Sequence, residues 1–77
     1  MDKLNADYIR YLVNKFTRVT REETILATID HLTMDVTQAV AAERRGSTQP
    51  EVARLVKKLR ELDETIEEAY QLKRKAK

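Results

Sequence analysis

The sequence predicts an all-α protein: an antiparallel helical hairpin over about residues 21–45 and 50–74, preceded by a short N-terminal helix over about 5–16. Three observations lead there. Apolar residues recur at alternating spacings of 3 and 4 on both sides of one turn. The 77 residues contain one Gly and one Pro, too few for the turns of a many-stranded fold. The composition, 42% hydrophobic and 36% charged, suits amphipathic helices rather than low-complexity disorder.

The first helix places Ile9, Leu12, Val13 and Phe16 on one stripe. Three turns alone are marginal in water, so residues 1–19 either fold onto the hairpin or wait for a partner. Thr17 to Thr20 interrupt the pattern with β-branched residues.

The second helix is expected to start with a capping box, the Thr20 hydroxyl accepting from the third helical amide and Glu23 returning to the cap. Ile25, Ile29, Leu32, Val36, Ala39 and Glu43 then repeat at spacings of 4 and 3, which predicts about 25 continuous helical residues. Arg44 and Arg45 fall in the last turn, where cations are favoured, and Gly46 suits the left-handed residue that closes a helix.

Gly46 to Pro50 form the turn. Thr48 with Glu51 makes a second candidate capping box, and Pro50 in the first turn removes no intrahelical hydrogen bond. The third helix carries Val52, Leu55, Leu59, Leu62, Ile66, Ala69 and Lys73 in heptad spacing.

Two long helices joined by a short loop pack antiparallel. A register in which facing numbers sum to about 95 sets Val40 against Leu55, Val36 against Leu59, Ile29 against Ile66 and Ile25 against Tyr70 or Ala69. Ile25, Ile29, Leu32, Val36, Val52, Leu55, Leu59, Leu62 and Ile66 then make the seam. Leu26, Val40, Val56 and Tyr70 form a half-exposed apolar flank beside it. Covering four such side chains is worth on the order of 6 kcal/mol before entropy costs. The flank is therefore expected to be covered by the N-terminal stripe, a second copy or a different protein.

Candidate chemistry is sparse. Without Cys there are no disulfides, no thiolate nucleophile and no zinc finger, which suits a reducing compartment. His31 and Asp35 share a helix face, but a zinc site needs three or four ligands, so a solvated surface histidine and no metal are expected. The pairs Glu22/Glu23, Asp63/Glu64 and Glu67/Glu68 read as helix capping and i, i+4 support rather than acid–base catalysts, which need a cleft. One glycine cannot build a phosphate loop. Ser47 and Thr48 lack a histidine to activate them. No enzyme, no cofactor and no small-molecule substrate are expected.

Charge totals +15 and −13; residues 1–46 hold seven of each sign, and Lys73, Arg74, Lys75 and Lys77 close the chain. This basic tail is open to nucleic acid or to a frayed, dipole-favoured helix end, and nucleic acid is the lesser expectation. Tyr8, Tyr11 and Tyr70 are too scattered for a base-stacking platform and read as interface anchors. No apolar run approaches the ~20 residues of a membrane span. Asp2 and Asp7 stand where a secretory signal would be basic and then apolar.

The stretch from Arg45 and Gly46 through Val52, Leu55, Leu62 and Ile66, with Leu32 and Val36 upstream, resembles the small E-type co-chaperones of type III secretion needle subunits. It covers about residues 23–69. This chain departs from that pattern in its additional N-terminal residues, and in Val52 and Leu55 where aromatic residues are expected. The resemblance implies a cytoplasmic, virulence-associated chaperone that joins a helical-repeat chaperone and keeps the needle subunit soluble and monomeric. Under it, Leu26, Val40, Val56 and Tyr70 make the partner face. The alternative is a self-associating helical regulator or adaptor, nucleic-acid-associated through its basic tail.

Overall fold

A computed structural model describes residues 4–75; Asp2 and the last lysine of the basic tail, Lys77, lie outside them. Four α-helices make up the fold: α1 (Ala6–Phe16), α2 (Glu22–Thr33), α3 (Gln38–Arg45) and α4 (Gln49–Lys75). Among the described residues there is no strand.

The 25-residue helix expected over 21–45 is two helices. Thr33 turns its hydroxyl back onto the Ile29 carbonyl (2.7 Å), and Met34 closes α2 with its amide on the Asp30 carbonyl. Asp35 then adopts the left-handed conformation (φ 57°), which aspartate tolerates better than most residues with a side chain. Thr37 caps α3, its Oγ1 accepting from the Val40 amide at 3.1 Å. His31 braces the corner, Nδ1 lying 2.6 Å from the Val36 carbonyl. A carbonyl only accepts, so Nδ1 carries the proton. The expected solvated histidine is instead half-buried and hydrogen-bonded.

The capping box expected at Thr20 is absent. Arg21 is the N-cap, without a side-chain cap bond, and Glu23 reaches back to its guanidinium at 3.6 Å. Asn5 caps α1 by accepting from the Tyr8 amide at 2.8 Å. Gly46 closes α3 in the left-handed conformation (φ 77°), with the Ser47 amide on the Ala42 carbonyl at 2.9 Å. At the start of α4, Thr48 Oγ1 donates to Glu51 at 3.0 Å and meets the Glu51 amide at 3.5 Å; Pro50 sits in that first turn.

The reversal at 34–37 changes the topology. Thr24 bonds Ser47 (2.8 Å) and approaches Glu51 (3.5 Å), and Arg21 pairs with Glu51 at 3.1 Å, so the starts of α2 and α4 lie together. Further along, Ile25 and Ile29 share a cluster with Leu55 and Leu59. α2 and α4 therefore run in the same direction, with α3 returning against both of them. α1 runs against both, Tyr8 reaching Asp63 and Arg10 reaching Glu22. α1 and α3 do not approach each other; they flank the α2–α4 pair from opposite sides.

The core divides accordingly. Ile9, Leu12 and Val13 of α1 pack with Ile25, Ile29, Leu55 and Leu59, with Leu32 and Leu62 half-buried against them. On the other side Ala41 and Ala42 of α3 pack with Ala27, Val52 and Val56, with Val36 half-buried. Small alanines on both helices let α3 approach closely. Ile25 and Ile29 thus meet Leu55 and Leu59, not Ala69, Tyr70 and Ile66 as the long-hairpin register requires.

The corner yields a stability test. Asp35→Val forces a β-branched residue to positive φ and should cost about 1–2 kcal/mol, whereas Asp35→Gly should be neutral or stabilising. Urea midpoints with helicity monitored check both.

Candidate interaction surface

α4 leaves the bundle at about Asp63. From Glu64 to Lys75 every residue is exposed, a segment of about 18 Å at 1.5 Å per residue. Val52, Leu55, Val56 and Leu59 form the buried face of α4, and the same face continues outside the bundle as Ile66 (37% exposed) and Tyr70 (55% exposed). Leu72, 68% exposed, lies on the opposite side of the helix, beside Glu68 and Gln71. The Arg74 guanidinium lies 5.7 Å from the Tyr70 ring centre, an exposed cation–π contact.

The four flank residues picked from the sequence do not form one face. Val56 is buried against α3, so its place on the partner face is a misassignment. Leu26 is half-buried near the start of α2, Val40 lies exposed on α3, and Tyr70 stands on the projecting segment. Thr24, beside Leu26 in sequence, touches Glu51; Tyr70 lies 19 residues further along α4, about 28 Å away. Leu26 and Tyr70 therefore cannot pair. Of the seam residues, Ile66 is exposed rather than buried, because α2 ends at Thr33 and returns as α3 instead of running alongside it. Phe16, counted with the α1 stripe, is 48% exposed.

Polar contacts that the sequence pattern did not suggest fasten the bundle, one of them at the base of this projection. Tyr8 donates to Asp63 Oδ1 at 2.7 Å where α4 leaves the bundle. Burial first, then the hydrogen bond to Asp63 and the charges of Asp63 and Glu67, push its phenol up to about 12. Asp30, itself buried, takes a two-pronged grip from Arg45, Nε at 2.7 Å and Nη2 at 3.1 Å, tying the end of α2 to the end of α3. That hydrogen bonding holds its carboxyl below the usual range, against the opposing effect of burial. Arg10 meets Glu22 at 2.6 Å between α1 and α2. Spacing alone could not reveal these pairs, which join residues 12 to 55 positions apart.

An open cleft of about 490 Å³ lies at the foot of the projection, with Asp35, Asp63 and Glu64 beside His31 and Arg60. Among the described residues no three His, Asp or Glu side chains converge to hold a metal ion. No described helix is long and apolar enough to cross a membrane. Lys73, Arg74 and Lys75 follow a stretch from Glu61 to Leu72 that contains five acidic residues and no basic one. A polyanion lying along the projecting half of α4 would be attracted at the tip and repelled from Glu61 to Leu72.

None of the family models, curated proteins or solved structures compared with this chain matches it.

Two pH dependences follow. The Asp30 pair contributes fully above the ordinary carboxylate pKa of ~3.9 and loses its contribution as pH falls below it, towards the lowered pKa of the folded state; Asp30→Asn should lower the urea midpoint at pH 7, and the gap from the wild type should narrow progressively as the pH is taken below ~3.9. Tyr8, with its pKa raised from 10.0 to about 12, contributes fully below 10 and loses its contribution as pH rises to about 12. Tyr8→Phe should flatten that alkaline decline in the same measurement.

Proposed function

We propose that this chain is a non-enzymatic protein-binding module whose working surface is the projecting half of α4, residues 64–75. One observation carries the reading: the stripe that is core from Val52 to Leu59 continues as Ile66 and Tyr70 with no other element beside it. Exposed apolar side chains aligned with a buried stripe mark an unfilled packing position more than a solubilising face does. Helix-in-groove recognition uses this spacing, with anchors at i and i+4.

The resemblance to needle-subunit co-chaperones supplies a specific partner class, a helical-repeat chaperone in the cytoplasm. The two chaperones would occlude the apolar helices of a needle subunit and keep it monomeric. In favour stand the Gly46 turn and the shared stripe of Val52, Leu55, Leu62 and Ile66. The break at 34–37 stands against it, because the resemblance expects one long helix there. Under this reading the partner face is centred on Ile66 and Tyr70 rather than on the Leu26, Val40, Val56 and Tyr70 set.

The test is Ile66→Asp beside Val40→Asp as control. Both sites are partly exposed, so each variant should keep its helicity and lose less than about 1 kcal/mol of stability. Co-purification with a helical-repeat secretion chaperone should fail for Ile66→Asp, its Kd rising about a hundredfold, and persist for Val40→Asp. Equal binding by Ile66→Asp and the wild type would remove α4 as the working surface.

A further inference from the structure

Charge is segregated along the projecting end of α4. Glu61, Asp63, Glu64, Glu67 and Glu68 come first; Lys73, Arg74 and Lys75 come last; no basic residue stands among the acidic ones. The helix dipole accounts for cations in the last turn but not for a solid acidic block ahead of them. Among the described residues no charged side chain from Lys57 to Lys75 is in an ion pair. Asp63 does accept the Tyr8 hydroxyl, so it acts here as part of the local field rather than as a free partner.

This pattern is complementary to itself when reversed. From it we propose that the first occupant of the α4 face is a second copy of this chain, the two projecting segments packing antiparallel about a two-fold axis between Ala69 and Tyr70. The inference rests on the reading of residues 64–75 as the working surface and names what covers it. About that axis Ile66 of one copy lies opposite Lys73 of the other and Ala69 opposite Tyr70, while Arg74, on the flank of the stripe, comes level with Thr65, between Asp63 and Glu67 on the same flank of the other copy. The acidic block of each copy then meets the basic tip of the other at both ends. The Lys73 stem lies over Ile66 while its ammonium reaches the water. A parallel pair would lay acid on acid and base on base, so electrostatics selects the antiparallel one.

The geometry of the bundle allows this. The two globular ends sit on opposite ends of the paired segments, about 18 Å of helix apart, and do not compete for space. Each basic tip arrives at the foot of the other copy's projection, where Asp35, Asp63 and Glu64 line the cleft with Arg60 as its one opposing arginine. The interface is isologous, as a two-fold requires. Segments this short bury less than a standard interface of ~1,200–2,000 Å², so the dimer should be weak, half-dissociated at roughly 10–100 µM.

Sedimentation equilibrium on the whole chain tests it, with far-ultraviolet circular dichroism confirming that each variant is folded. The wild type should be a monomer–dimer equilibrium that loosens about tenfold between low and high salt, since opposite charges face each other. A block reversal of the tip, Lys73→Glu with Arg74→Glu and Lys75→Glu, should be monomeric. So should the reciprocal Glu64→Lys, Glu67→Lys, Glu68→Lys chain. Mixed in equal amounts, the two should restore a heterodimer. A wild type monomeric up to about 1 mM overturns the inference and leaves the protein-binding reading intact, because that reading stands or falls on Ile66→Asp against a helical-repeat chaperone. A dimer that tightens with salt, or that survives both block reversals, overturns the antiparallel pairing.

Discussion

α4 rises about 40 Å over its 27 residues, while α1, α2 and α3, with 11, 12 and 8, rise roughly 17, 18 and 12 Å. No arrangement of the three can cover the fourth along its whole length. The mismatch originates at residues 34–37. Had the chain continued as one helix to Arg45, it would have run alongside most of α4 and hidden Ile66 and Tyr70 in a seam. The left-handed Asp35 and the Thr37 cap instead double the chain back, so that α2 and α3 both pack against the first half of α4. The long dimension of the molecule, 47 Å against 24 and 19 Å, is set mostly by the roughly 40 Å of that one helix.

What remains of the core is small, and it is held at its edges by polar contacts. The α3 side is built on three alanines and two valines, a cluster that buries little area per residue. Its position is fixed by the Asp30–Arg45 pair across the corner and by Thr24 on Ser47. No buried side-chain nitrogen or oxygen among the described residues lacks a hydrogen-bond partner. A buried polar group in a core this thin would otherwise cost about 1–3 kcal/mol, a large share of what a domain of this size has in reserve.

Much of the local structure was legible in the sequence. The α1 stripe, the left-handed Gly46, the Thr48–Glu51 pairing and the start and end of α4 all follow from caps and periodicity acting within four residues. The corner at 34–37 was not legible, for a physical reason. The apolar spacing of Ile29, Leu32, Val36 and Ala39 runs straight through it, and the residue that turns the chain is an aspartate rather than a glycine or proline. Thr37 carried the available signal, a threonine three residues before an apolar position, but nothing local distinguishes it from a threonine inside a helix. Once that corner is missed the register fails with it: Val56 passes from flank to core, and Ile66 from core to solvent.

The persistence of helix beyond Asp63 does not by itself call for a partner. Residues 64–75 are mostly good helix formers, and a helix propagating from an already folded stub avoids the unfavourable nucleation step. Glutamate or lysine at positions 66, 70 and 72 would propagate it as well and keep it more soluble. The identity of those side chains, rather than the helix, is what requires explanation. An isoleucine and a tyrosine continue the buried face one and two turns past its last covered residue. Side chains of that kind are what the proposed docking of residues 64–75 would use.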